Sequence, residues 1–182
     1  MRAAWIGRQL VAVTWVAMLA TSCTSGPEPA ASPGPVVTTP TETAQEREQR
    51  LAYEAAEKSY REFRSTLNSI LNGGGAKEAT KEMKATATGP YLNDFTQLVK
   101  AYEAGGTYSV GREEIGFVRR GGYDSTSLIL NVCEDSRAVR DYDQRKRLLG
   151  RGEVRSATIE VRQVDGEWKM WNGTGKKIER CE

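Results

Sequence analysis

The feature that most restricts what this chain can fold into is a change of hydrophobic period near its middle. Up to Gly105-Gly106 apolar residues recur every three or four positions, and beyond that point they alternate with polar ones. The first spacing puts side chains on one stripe of a helix and the second puts them on one face of a strand. Helices therefore come first and strands follow. Elements ordered this way give an α+β domain in which the helix stripes cover one face of an antiparallel sheet.

The first helix is marked at both ends. Thr43-Ala44-Gln45-Glu46 fits a capping box, and Gly73-Gly74-Gly75 stops the helix. Between them Tyr53, Ala56, Tyr60, Phe63, Leu67 and Ile70 form one apolar stripe, while Glu46/Arg50, Glu54/Lys58 and Glu57/Arg61 lie at i,i+4 on the solvent side. The stripe also suits a short coiled coil, but packing on the chain's own sheet is expected. A weaker polar helix is predicted over Ala76–Ala87. Gly89-Pro90 then opens a third helix carrying Tyr91, Leu92, Phe95, Leu98, Val99 and Tyr102, and the last two helices are expected to form a hairpin.

In the strand half, Tyr108 and Val110 share one parity and Ile115 and Phe117 the other, so a break or bulge is expected between Gly111 and Glu114. Gly121-Gly122-Tyr123-Asp124 reads as a turn into Ser127–Glu134, the predicted central strand, with Leu128, Leu130 and Val132 on one face and Ile129 and Cys133 on the other. Asp135–Gly152 reads as a polar hairpin region. Ala157, Ile159 and Val161 then alternate up to Asp165-Gly166, a two-residue turn that sets Val161 opposite Met170 and Gln163 opposite Trp168, all on the core side.

Residues ahead of the first helix read as export machinery. Arg2 and Arg8 precede the apolar run Leu10–Ala20, which is too short for a permanent span, so residues 1–22 are expected to be a signal peptide. Leu19-Ala20-Thr21-Ser22-Cys23 is similar to a bacterial lipobox, which makes Cys23 the expected lipid-attachment residue; simple secretion after Ala20-Thr21-Ser22 is the alternative. Residues 23–43 combine that cysteine with a Ser/Thr/Pro-rich tether that lacks the apolar surface to fold, and residues 44–182 form the domain. The chain has three cysteines. With Cys23 lipidated, Cys133 and Cys181 remain as a pair for a disulfide in an oxidising compartment, the alternative being two unrelated buried thiols. The full chain holds 26 Lys+Arg against 24 Asp+Glu, and without Arg2 and Arg8 the two counts are equal. Nothing in that balance recruits nucleic acid.

Several of these elements together resemble the NTF2-like lipoproteins of actinobacteria. They are the Thr88-Gly89-Pro90 break, the strand ending Val132-Cys133-Glu134-Asp135-Ser136, the Asp165-Gly166-Glu167-Trp168-Lys169 hairpin and the terminal Cys181. The resemblance implies an NTF2-like, cystatin-like roll with three N-terminal helices packed on a curved sheet, and a disulfide from a central strand to the C-terminus. The Asp141-Tyr142-Asp143 segment and the basic insert Gln144–Gly150 depart from that pattern.

Enzymes of similar fold place carboxylates or His-Asp pairs in an apolar cone. Here the inner faces assigned from alternation carry no acid, and the chain has no His. General acid–base work would fall to Asp94, Asp124 or tyrosines, for which surface, turn and core roles are the simpler account. No nucleophile elbow, phosphate loop or metal-ligand motif occurs, so no catalysis, cofactor or metal is expected. Tyr60, Phe63, Tyr91, Phe95, Tyr102 and Trp168 form a candidate ligand pocket, with ordinary core as the alternative. Glu134, Asp135, Asp141 and Asp143 match no calcium loop and read as solvated turn acids. Arg137, Arg140, Arg145, Lys146, Arg147 and Arg151 are the local positive concentration, either a solvated loop or a contact to anionic headgroups or an acidic partner. The expected function is a non-catalytic binding or assembly module, attached to the outer face of the cytoplasmic membrane by its N-terminal lipid and meeting an envelope protein. The alternatives are a carrier of a small apolar ligand and a mobile-element surface factor, with an isomerase- or dehydratase-type enzyme as the remaining possibility.

Overall fold

The computed structural model describes residues 42–182. Helix α1 spans Ala44–Asn72. At its start the Thr43 hydroxyl accepts the Glu46 N–H at 3.2 Å and the Glu46 carboxylate accepts the Thr43 N–H at 2.8 Å, which completes the expected capping box. Glu46 is thereby taken from Arg50, which pairs with Glu42 and Glu54 instead. Gly75 sits at φ +91, and a Cβ there would lie 2.3 Å from the Val99 carbonyl oxygen. The glycine run thus stops α1 and lets the chain pass flush against the helix that carries Val99.

Helix α2 covers only Lys81–Thr86. The expected start at Ala76 fails because Ala76 donates its N–H to Val99 at 3.0 Å, outside any helix, and Thr80 is the residue that caps. Helix α3 runs from Gly89 to Gly105, with Pro90 in its first turn and Gly106 in the left-handed conformation closing it. The expected hairpin of α2 and α3 does not form. Each packs on α1 and on the last strand, because those elements carry the apolar surface.

Among the described residues seven strands form two antiparallel sheets. The larger has the order β2 (Glu114–Tyr123), β3 (Ser127–Asp135), β6 (Val154–Val164), β7 (Glu167–Ile178); the smaller has the order β1 (Tyr108–Val110), β4 (Arg140–Tyr142), β5 (Leu148–Arg151). The break predicted between Gly111 and Glu114 therefore separates two sheets, not two halves of one strand. Gly121 and Gly122 do not turn the chain. They sit within the irregular end of β2, where their carbonyls accept the Tyr53 hydroxyl at 2.8 and 2.9 Å. Asp124 makes the reversal, its carboxylate accepting the N–H groups of Thr126 and Ser127, each at 2.8 Å.

β3 is internal to its sheet, as the alternation implied. The Asp165-Gly166 turn delivers the expected register, with Val161 facing Met170 and Gln163 facing Trp168. Gln163 is exposed, against the expected core placement, and Trp168 is only half-buried at the margin of the core. Tyr53, Ala56, Tyr60, Phe63 and Leu67 of α1 meet Leu128, Leu130, Val132, Ile159, Val161 and Met170 of the sheet in one core. On the opposite face Cys133 is bonded to Cys181, Cα to Cα 5.7 Å, across a bare Gly116 that leaves room for the sulfur.

Candidate functional site

Alternation along β3 does not stop at Val132. Glu134 has the same parity as Leu128, Leu130 and Val132, and the strand stays regular to Asp135, so the Glu134 carboxylate enters the interior and is buried. The expectation that the inner faces hold no acid, and that Glu134 belongs with solvated turn acids, is corrected on this point. Facing it are Tyr60 and Arg64, one helical turn apart on α1. The Tyr60 hydroxyl donates to Glu134 Oε1 at 2.5 Å, and Arg64 Nε lies 3.4 Å from the same oxygen.

Arg64 is also gripped by Glu113 from the β1–β2 connection. Its Nε donates to Glu113 Oε1 at 2.8 Å and its Nη2 to Oε2, and Ser136 Oγ adds a bond to Oε2 at 2.9 Å. The side chains of Arg64, Glu113 and Glu134 are 13%, 12% and 10% exposed. The guanidinium lies 5.5 Å over the Phe95 ring. Burial opposes the Arg64 charge, but the Glu134 and Glu113 carboxylates outweigh it and hold the group protonated far above the usual arginine range. Burial, reinforced by Glu134, pushes the Tyr60 hydroxyl far up; burial raises Tyr91 likewise, against the pull of Arg64. Both tyrosines stay neutral. One cation lies between two carboxylates, and a neutral hydroxyl donates to one of them. Chemically the cluster pins α1 to β3 and to the β1–β2 connection.

Arg64 and Glu113 border a cavity of about 290 Å³ between α1, α3 and the smaller sheet. Leu67, Leu71, Phe95 and Leu98 supply its apolar wall. Tyr102, Ser109 and Asp141 stand among the polar groups, with Ser109 donating to Asp141 at 2.6 Å. Of the six aromatic residues expected to share a pocket, Phe95 and Tyr102 reach this cavity. Tyr60, Phe63 and Tyr91 are buried in the core, where Phe63, Tyr91 and Phe95 pack as a triangle with ring centres 5.2, 5.2 and 4.8 Å apart. Trp168 lies beside the β6–β7 turn, outside that lining. Dense packing of the aromatic stripe against the sheet separates these side chains.

The four acids read as solvated turn acids each have a separate partner. Glu134 faces Tyr60, Asp135 pairs with Arg137 at 2.6 Å, Asp141 accepts from Ser109, and Asp143 pairs with Arg147 at 2.7 Å. Asp94 is exposed on α3, and Asp124 caps its turn. Arg140 is spent on the Arg137 and Val139 carbonyls. Arg145, Lys146 and Arg151 are exposed. Sequence reasoning missed Arg64 and Glu113. The signal for Arg64 was present, since 60, 64, 67 and 71 are spaced like the apolar stripe, but a cation there reads as surface until its acids arrive. Cys23, the signal segment and the tether up to residue 41 lie outside the described residues. No described helix is long and apolar enough to cross a membrane.

No family model matches the chain, and neither does any curated protein sequence. Solved structures do match. The intermembrane-space region of the chloroplast protein ARC6 aligns with a TM-score of 0.52 at 12% identity, covering 69% of this chain and 96% of that one. A suspected dehydratase of the NTF2-like family from Streptomyces avermitilis aligns at 0.46 and 11% identity, covering 71% and 97%. A protein with a cystatin-like fold from Caulobacter vibrioides aligns at 0.39 and 11% identity, covering 72% and 91%. The fold is an NTF2-like, cystatin-like α+β roll. At such identities the likeness concerns the fold alone, and a fold of this kind hosts enzymes and binding modules alike.

Proposed function

We propose that this chain is a lipid-anchored extracytoplasmic protein whose NTF2-like domain is a non-catalytic binding or assembly module. The observation that carries this reading is the occupied interior. Tyr60, Phe63, Val132 and Met170 are 0% exposed, and the acid at the end of the inner face is consumed by Tyr60 and Arg64. A general base has to reach its substrate's proton, whereas Glu134 is 7% exposed, has Oε1 taken by Tyr60 and Arg64, and does not line the cavity beside Phe95. The Cys133–Cys181 bond supports placement in an oxidising compartment, in keeping with the export signature ahead of the domain. The partner is expected to be an envelope protein, met through the surface of the roll.

A second reading, a carrier of a small apolar ligand, draws on the cavity beside Phe95, which is close to the lower end of the size range of small-molecule sites. One experiment separates the two. Intact cells expressing the full chain are crosslinked, and the recovered material is compared with that of the Cys23→Ser variant after detergent phase partition. The assembly reading expects wild-type protein in the detergent phase with one recurrent envelope protein attached, and the variant in the aqueous phase without it. Purified protein that retains a lipophilic compound, with nothing recurrent crosslinked, would mean that the carrier reading is correct.

A further inference from the structure

The β4–β5 hairpin has a tip that neither the core nor the ion cluster uses. Among the described residues Leu51, Val110, Leu148 and Leu149 are the exposed large apolar side chains, and two of them are consecutive on β5. Neighbouring residues of a regular strand point to opposite faces, so one of the pair would ordinarily be covered. Here Tyr142 faces Leu148 while Asp141 faces Gly150, which makes Leu149 the extra residue of a bulge on the edge strand of the smaller sheet. Leu148 is 46% exposed and Leu149 is 56% exposed.

Basic residues surround them on a preformed turn. The Asp143 carboxylate accepts the N–H groups of Arg145 and Arg147 and also Arg147 Nε, while Lys146 holds a positive φ and donates its N–H to the Asp143 carbonyl. Arg147 is thus tied down. Arg145, Lys146 and Arg151 are exposed and form no ion pair with any described residue. Between Asp143 and Arg151 there is one acid against four bases. Positions 144 to 149 are all exposed, so the tip is a ridge and not a groove. Two leucines on a ridge flanked by unpaired cations suit a fluid anionic surface, which yields to the leucines and needs no matching concavity.

We propose that the β4–β5 hairpin is a membrane-contact element, with Arg145, Lys146 and Arg151 meeting anionic lipid headgroups and Leu148 and Leu149 entering the interfacial layer. This rests on the anchored, extracytoplasmic reading given above. Reach is no obstacle. The smaller sheet lies by the C-terminal end of α1, where Asn72 donates to the Gly111 carbonyl, and the 29 residues of α1 extend about 43 Å from Thr43. The roughly 20 residues from Cys23 to Thr43 span about 60 Å when extended.

Each basic side chain near an anionic bilayer raises the bound population roughly fivefold, so three give about 100-fold at low ionic strength and about tenfold once salt screens them. Trypsin reads this directly, because exposed connections are where it cuts: after Arg147 at the tip and after Lys77 between α1 and α2. The full chain is placed in vesicles of phosphatidylcholine alone, or of phosphatidylcholine with 30% phosphatidylglycerol. Cleavage after Arg147 is expected to slow at least tenfold on the anionic vesicles, with cleavage after Lys77 unchanged. Protection should disappear in Arg145→Gln/Lys146→Gln and fall severalfold in Leu148→Ser/Leu149→Ser; both variants alter only exposed side chains. Equal cleavage after Arg147 on the two vesicle types would overturn the proposal. So would equal protection by polyglutamate in solution, which would mark the hairpin as a site for an acidic polypeptide. The Cys23→Ser chain added to preformed anionic vesicles keeps the two readings apart, since loss of the lipid anchor should leave tip protection intact in whatever fraction binds.

Discussion

Replacing Arg64 with Met tests whether the buried cluster is a single electrostatic unit. The substitution keeps an apolar stem of similar length beside Phe95 but removes the one cation between Glu113 and Glu134, whose side chains are slightly more enclosed than that of Arg64. Removing one partner of a buried ion pair costs about 3–5 kcal/mol, because the remaining charge has lost both water and counter-ion. A domain of this size is stable by about 5–15 kcal/mol, so the loss is a large share of the total and lowers Tm by roughly 10–20 °C. The decisive measurement is the comparison with Arg64→Met/Glu113→Gln/Glu134→Gln. Neutral amides keep acceptors for Tyr60 and Ser136 without the uncompensated charge, so the triple variant is expected to recover about half or more of the loss in urea unfolding. If Arg64→Met costs under about 1 kcal/mol, or if the triple variant is less stable than the single one, the cluster is not the electrostatic pin described here.

Three further expectations concern stability. Cys133→Ser/Cys181→Ser, which opens a loop with a sequence separation of 48, should lose about 4 kcal/mol in urea unfolding, and reductant should destabilise the wild type but not the variant. Tyr60 and Tyr91 have hydroxyls raised above the ordinary value of 10, so the protonated form belongs to the folded state; their contribution is complete below pH 10 and is lost as pH rises, and both should stay silent in tyrosinate absorbance until the protein unfolds. Gly74→Ala and Gly75→Ala both strain a positive φ at about 1–2 kcal/mol, but only at Gly75 does the new methyl meet backbone, 2.3 Å from the Val99 oxygen, so Gly75→Ala should show a clearly larger fall in thermal midpoint.

What the sequence alone determined is what neighbouring residues settle among themselves. A capping threonine with its glutamate three places on fixes the start of α1, Pro90 and Gly106 bound α3, and a two-residue Asp-Gly turn leaves β6 and β7 a single register. Each follows from backbone geometry within a few residues. Tertiary structure alone decided the rest. Whether α2 began at Ala76 depended on the Val99 carbonyl being there to take its N–H, and whether Gly121-Gly122 turned or continued depended on Tyr53 reaching their oxygens. The site shows the difference most clearly. The parity of Glu134 and the spacing of Arg64 were both legible, yet burying either ion alone is prohibitive, and nothing local says that Arg64, Glu113 and Glu134 arrive together. Charges brought from 49 and 70 residues away compensate one another only once the chain has closed around them.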